Sequence, residues 1–213
     1  MNYSFRKKNK IVKYIIIHYT GMKSLESAYS KLNDSNSDVS CHYLISRLGL
    51  IYSLLPPNYK GWHAGKSQWR DKINLNDYSI GIELENKGHD YGYNYFTKEQ
   101  YLSLKKLVNF LITNYYIKDQ DIIFHSDISP NRKKDPGEKF FISKIGLKRF
   151  KNDNPKKTNY SIKELLQIYG FSKYYIKIYK SECIKAVKRT LNYQIIDADI
   201  TKKFKLDFYN LLF

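Results

Sequence analysis

Two short apolar runs, largely β-branched, each end on a histidine: Tyr14-Ile15-Ile16-Ile17 leads into His18, and Ile122-Ile123-Phe124 leads into His125. Runs of this length and composition read as buried strands. Both histidines then leave the C-terminal ends of strands, where side chains collected on a rigid sheet commonly build a site. A further strand is expected over residues 78–85, because alternation puts Ile80, Ile82 and Leu84 on one face and Gly81, Glu83 and Glu85 on the other. Residues 42–46 and 50–54, joined through Arg47-Leu48-Gly49, read as a hairpin closed by Pro56-Pro57. Residues 24–33 read as a helix. Thr97 and Gln100 form a T-x-x-Q capping box, and Tyr101, Leu104, Leu107, Val108, Leu111, Ile112 and Tyr115 follow at helical spacing. The expected fold is α/β, a mixed central β-sheet flanked by helices.

The 213 residues allow one well-buried core and a small appended unit. A polar, Pro-containing stretch, NDNPKKTN, marks a linker at 152–160. Residues 1–151 are expected to form the catalytic domain. Beyond the linker the pattern is helical throughout. Ser161 and Glu164 make another capping box, Gly170 sits where a C-terminal cap belongs, and amphipathic stretches follow at 181–193 and 200–212. A small C-terminal three-helix bundle over 161–213 is expected.

The formal net charge is +17, which favours polyanionic partners. The basic residues are spread along the chain, however, and no nucleic-acid-binding motif occurs, so nucleic acid is not the expected partner. Cys41 and Cys183 are far apart and make no CxxC or thiolate metal cluster. The basic start resembles a leader, but its apolar stretch is short, is broken by Lys13 and lacks a small-residue cleavage site. A leaderless chain would be cytoplasmic; a trimmed or otherwise exported one would work in the periplasm or cell envelope. No segment has the apolar length needed to cross a bilayer.

A catalytic zinc is usually held by three side chains and keeps a fourth position for water or substrate. His18, His125 and Asp135 can supply such a set, with Glu83 as general base and Lys133 as the cation facing a developing oxyanion. Taken singly, each also has an ordinary structural reading: a hydrogen-bonded histidine, a solvated strand face for Glu83, a solvated loop cation for Lys133. No HExxH or other self-sufficient zinc signature is present.

The ordered segments IIIHYT, CHYLISRLGLIYSLLP, GWHAGKSQWR, LNDYSIGIELEN and HSDISPNRKKDPG change that balance. Together they resemble the zinc-dependent N-acetylmuramoyl-L-alanine amidase family, which includes bacterial wall-recycling amidases, phage amidases and peptidoglycan-recognition proteins. The resemblance covers roughly residues 13–141. It implies Zn²⁺ held by His18, His125 and Asp135, Glu83 as the catalytic carboxylate, and Lys133 as the basic residue two places before the acidic ligand. It also implies hydrolysis of the amide between the lactyl group of N-acetylmuramic acid, or its anhydro form, and L-alanine of the stem peptide. His63 in GWHAG, Trp62, Asn86 and Arg132 are expected to contact substrate. Peptidoglycan or muropeptides are the expected partners, and a monomer the expected state. The C-terminal helices weakly resemble a peptidoglycan-binding module, without its FQ-type signature and glycine-rich turn. The alternative is a non-catalytic peptidoglycan-recognition protein on the same fold, against which stand the filled ligand positions, Glu83 and Lys133.

Overall fold

The computed structural model describes residues 2–6, 10–150, 155 and 159–213. The expected linker at 152–160 falls mainly on 152–154 and 156–158, which lie outside the described residues.

The elements run as follows. A short strand β1 (Tyr3–Phe5) precedes β2 (Tyr14–Tyr19), α1 (Leu25–Asn33), the hairpin β3 (Tyr43–Ile45) and β4 (Ile51–Ser53), and β5 (Tyr59–Gly61). After β6 (Gln68–Trp69) and β7 (Lys72–Ile73) come β8 (Ser79–Leu84), the single turn α2 (Gly88–Tyr91) and the long α3 (Lys98–Tyr115). Strand β9 (Ile122–Phe124) passes directly into a helical turn α4 (His125–Ile128). The chain ends with α5 (Ile162–Tyr169), α6 (Lys173–Ile178), α7 (Lys180–Thr190) and α8 (Lys202–Leu212). The three expected C-terminal helices are α5, α7 and α8. The six-residue α6, opened by a Ser172 cap, stands between the first two and is too short to reveal itself by periodicity.

The central sheet has the order β4-β3-β8-β2-β9. β3, β8, β2 and β9 are mutually parallel, and β4 adds to the edge antiparallel through the hairpin. Side-chain alternation gives the sheet two apolar faces. Ile15, Ile17, Ile80, Ile82, Ile122 and Phe124 face α3, whose Leu104, Leu107, Val108 and Leu111 cover them. Tyr14, Ile16 and Ile123 face the other way and join one apolar cluster with Trp69, Leu165, Leu166, Tyr169 and Phe208. Helix α3 starts where Thr97 accepts from the Gln100 amide N–H and the Gln100 side chain returns to the Thr97 N–H, so the expected capping box is formed. The same reciprocal arrangement opens α5 at Ser161 and Glu164.

Candidate metal centre and catalytic cavity

Strand register assembles the site. His18 is paired with Glu83 across β2 and β8, and Ile17 with Phe124 across β2 and β9. Side chains paired in parallel strands point to the same face, so Glu83 and His18 stand side by side at the sheet's C-terminal edge. His125, one residue beyond β9, completes the row. The loop after α4 brings Asp135 back over it, held by the Ser126 N–H donating to the Asp135 carbonyl at 2.9 Å.

The result is a triangle of donor atoms. Asp135 Oδ2 lies 3.0 Å from His18 Nδ1 and 2.9 Å from His125 Nδ1, and the two Nδ1 atoms are 2.9 Å apart. Among the described residues these three side chains are the group arranged to hold a metal ion. All three are buried. Donors so spaced can all lie roughly 2.0–2.2 Å from one ion, the distance that nitrogen and carboxylate ligands keep from zinc, with a fourth position open. The donor chemistry fits as well. His125 Nε2 lies 3.2 Å from the Ala64 carbonyl, which can only accept; with the proton donated there, Nδ1 is free to face a cation beside Asp135.

Electrostatics points the same way. Burial, with the neighbouring His125, lowers His18 to about 4, so its imidazole is neutral at ordinary pH. For Asp135 burial pushes the pKa up, but His125 and His18 outweigh it and hold the carboxylate ionised. Burial first, then the charge of Asp135, raises Glu83 well above the usual carboxylate range, with Lys133 opposing. Glu83 Oε2 is buried and has no hydrogen-bond partner. A carboxylate without a partner beside an open ligand position is suited to receive and return a proton.

Glu83, His125 and Asp135 line one cavity of about 480 Å³ together with His63, Arg132, Lys133, Lys134 and Lys31. His18 is not part of that lining but contacts three of its residues, His63, His125 and Asp135. Of the residues expected to contact substrate, His63 and Arg132 reach it, although Arg132 Nη2 already donates to the Ala64 and Lys66 carbonyls and to Ser129 Oγ. The structure does not bring Asn86 or Trp62 to the cavity lining. Asn86 is buried with its amide donating to the Asn94 carbonyl and accepting from the Gly88 N–H, which shapes the turn after β8. Trp62 Nε1 donates to Ser4 Oγ at 3.4 Å. Tyr19, Lys31 and Asp90 line the cavity and were not singled out by the sequence, where nothing distinguishes them from the many other tyrosines, lysines and aspartates.

The N-acetylmuramoyl-L-alanine amidase family (Amidase_2) matches residues 7–138. That is well over half the chain, and the chain belongs to this family. It is 39% identical over 141 residues to the N-acetylmuramoyl-L-alanine amidase AmiD of Escherichia coli, covering 61% of this chain and 50% of the relative. It is 43% identical over 103 residues to the 1,6-anhydro-N-acetylmuramyl-L-alanine amidase AmpD of Haemophilus influenzae, covering 48% of this chain and 54% of the relative. The chain thus spans about half the length of the curated relatives it matches. Among solved structures, the complex of E. coli AmiD with the substrate anhydro-N-acetylmuramic acid-L-Ala-D-gamma-Glu-L-Lys superposes with a TM-score of 0.78 at 26% identity, covering 96% of this chain and 91% of that one. The shared fold therefore extends into the C-terminal helices.

Proposed function

We propose that this protein is a zinc-dependent N-acetylmuramoyl-L-alanine amidase, cleaving the amide between the lactyl carbonyl of N-acetylmuramic acid or its anhydro form and L-alanine of the stem peptide. The observation that carries the reading is the convergence of two imidazole Nδ1 atoms and a carboxylate oxygen, about 3 Å from one another, beside a cavity that the unpartnered Glu83 carboxylate lines. Zinc held by His18, His125 and Asp135 supplies, when bound, Lewis acidity toward a carbonyl and toward water. Glu83 removes the proton of the attacking water and delivers it to the departing amine, and its elevated proton affinity suits both transfers. Lys133, on the loop that carries Asp135, stabilises the negative charge that develops on the carbonyl oxygen. Lys31, Lys133 and Lys134 line the cavity, and their positive charge favours a substrate bearing carboxylates, as stem peptides do. Residues 1–151 carry the side chains of this chemistry, and residues 161–213 serve it by covering the sheet face beneath the site.

The test is mass spectrometry of a defined muropeptide and its anhydro counterpart after incubation with the protein. Release of free stem peptide, abolished by a chelator and restored by Zn²⁺, is the expected result; the relative rates assign the preferred sugar. Zinc binding with no release from either compound would instead identify a recognition protein without catalytic activity.

A further inference from the structure

His18 presents Nδ1 to the metal position, so its other nitrogen decides whether that atom is a ligand at all. A neutral imidazole carries one N–H. If the proton sits on Nδ1, His18 cannot bind a cation. Unlike His125, His18 has no backbone carbonyl on Nε2. Its partner there is His63 Nδ1 at 3.0 Å, a group able to donate or accept.

The direction of that bond is fixed two links away. Ser79 Oγ donates to the Leu75 carbonyl at 2.6 Å, because a carbonyl can only accept. With its hydrogen committed, Ser79 Oγ offers a lone pair to His63 Nε2 at 3.4 Å, which places the His63 proton on Nε2. His63 Nδ1 is then an acceptor and takes the Nε2–H of His18. This favours a bare His18 Nδ1 against the pull of Asp135 Oδ2, 3.0 Å from that atom, which a bound cation would remove. The fold makes room for this chain of bonds: a Cβ at Gly81 would stand 2.5 Å from His63 Cγ, so only glycine lets the ring lie on β8 between Ser79 and His18.

We propose that His63 and Ser79 are positioning residues that set the tautomer of His18, the His63 ring relaying the polarity of the Leu75 carbonyl to the metal ligand. The inference rests on the metal-centre part of the reading above and is independent of the substrate. Outer partners of this kind typically change metal affinity about 10–100-fold.

The experiment has two readouts. ¹⁵N NMR of histidine-labelled, metal-free protein reports the His18 tautomer, and competition with a chelator reports Zn²⁺ affinity. Wild type is expected to carry a larger share of the His18 proton on Nε2 than the His63→Leu and Ser79→Ala variants do, because His63 Nδ1 competes there with Asp135 at Nδ1. His63→Leu, which fills the space but cannot accept, should give mixed tautomers and weaken Zn²⁺ binding about 10–100-fold. His63→Asn, whose Oδ1 can stand where Nδ1 stood, should restore both. Ser79→Ala should shift both in the same direction as His63→Leu, less strongly, and serves should His63→Leu fail to fold. An unchanged His18 tautomer and unchanged Zn²⁺ affinity in His63→Leu, or in Ser79→Ala if His63→Leu does not fold, would overturn the proposal. Wild type that shows the expected tautomer but binds no Zn²⁺ would overturn the metal reading and leave the relay standing.

Discussion

At the residue scale, the role proposed for Glu83 couples function to stability. Its carboxyl is buried without a partner for Oε2 and its pKa is raised above the ordinary 4.5. A carboxyl whose folded pKa is raised contributes stability below its unfolded pKa and loses it as pH rises through the folded one. As the pH rises, Glu83 therefore increasingly opposes folding of the metal-free protein. Glu83→Gln should melt higher than wild type at pH 7, by the equivalent of about 1–3 kcal/mol, while turnover falls about 10²–10⁴-fold and zinc stays bound. Calorimetry of the apo proteins beside the muropeptide assay checks both halves. Gly81→Ala tests a neighbouring constraint. The residue has ordinary strand geometry, so the added methyl acts only by displacing the His63 ring, and reduced Zn²⁺ affinity with intact secondary structure is the expected outcome.

At the scale of elements, the turn that carries His125 is anchored from behind. Asp127 on α4 accepts from the Phe124 N–H at 2.8 Å, from the Tyr169 hydroxyl of α5 at 2.6 Å and from Arg149 Nη2 at 2.5 Å. Tyr169 also bonds Thr190 Oγ1 of α7 at 2.8 Å. The Arg149 guanidinium lies over the Phe124 ring, 4.2 Å from its centroid. All of this is buried. Asp127→Ala would leave the Arg149 charge uncompensated in the core and should destabilise the protein by about 3–5 kcal/mol. Tyr169→Phe, which removes only a hydroxyl, should cost about 1–3 kcal/mol. Urea titration of the two variants separates the charge from the hydroxyl.

Across the whole molecule, α5 to α8 and the sheet share one apolar cluster, in which Tyr14, Ile16 and Ile123 meet Leu165, Tyr169 and Phe208. A chain ending at residue 160 would bare that face, and it should aggregate or expose dye-binding apolar surface in place of folding as a free catalytic unit. Acid is the second global test. Burial depresses His18 to about 4 and His42 to about 3, and holds His63 well below the ordinary 6.5. Groups lowered in this way bind more protons when unfolded, so the metal-free protein should lose stability progressively as pH falls from about 6.5 through 4, on the order of a few kcal/mol. Chemical denaturation across that range reads the slope, and zinc should oppose the loss by holding the ligands deprotonated.

The strand that carries His18, the strand that leads into His125, the Glu83 face of β8 and the capping boxes at Thr97 and Ser161 were legible in the sequence, because alternation, helical period and cap chemistry are local properties of the chain. The expected ligand set came from ordered motifs, which carry chemistry without geometry. Only the tertiary structure decided that Glu83, His18 and His125 stand in one row, since register across parallel strands is set by packing between segments far apart in the chain. The same holds for Asn86, a substrate candidate by its place after IELE that the fold buries in a turn, and for Ser79, an unremarked serine that reaches His63. What a side chain touches across a sheet depends on which strands pair and in what register, and no local period encodes that.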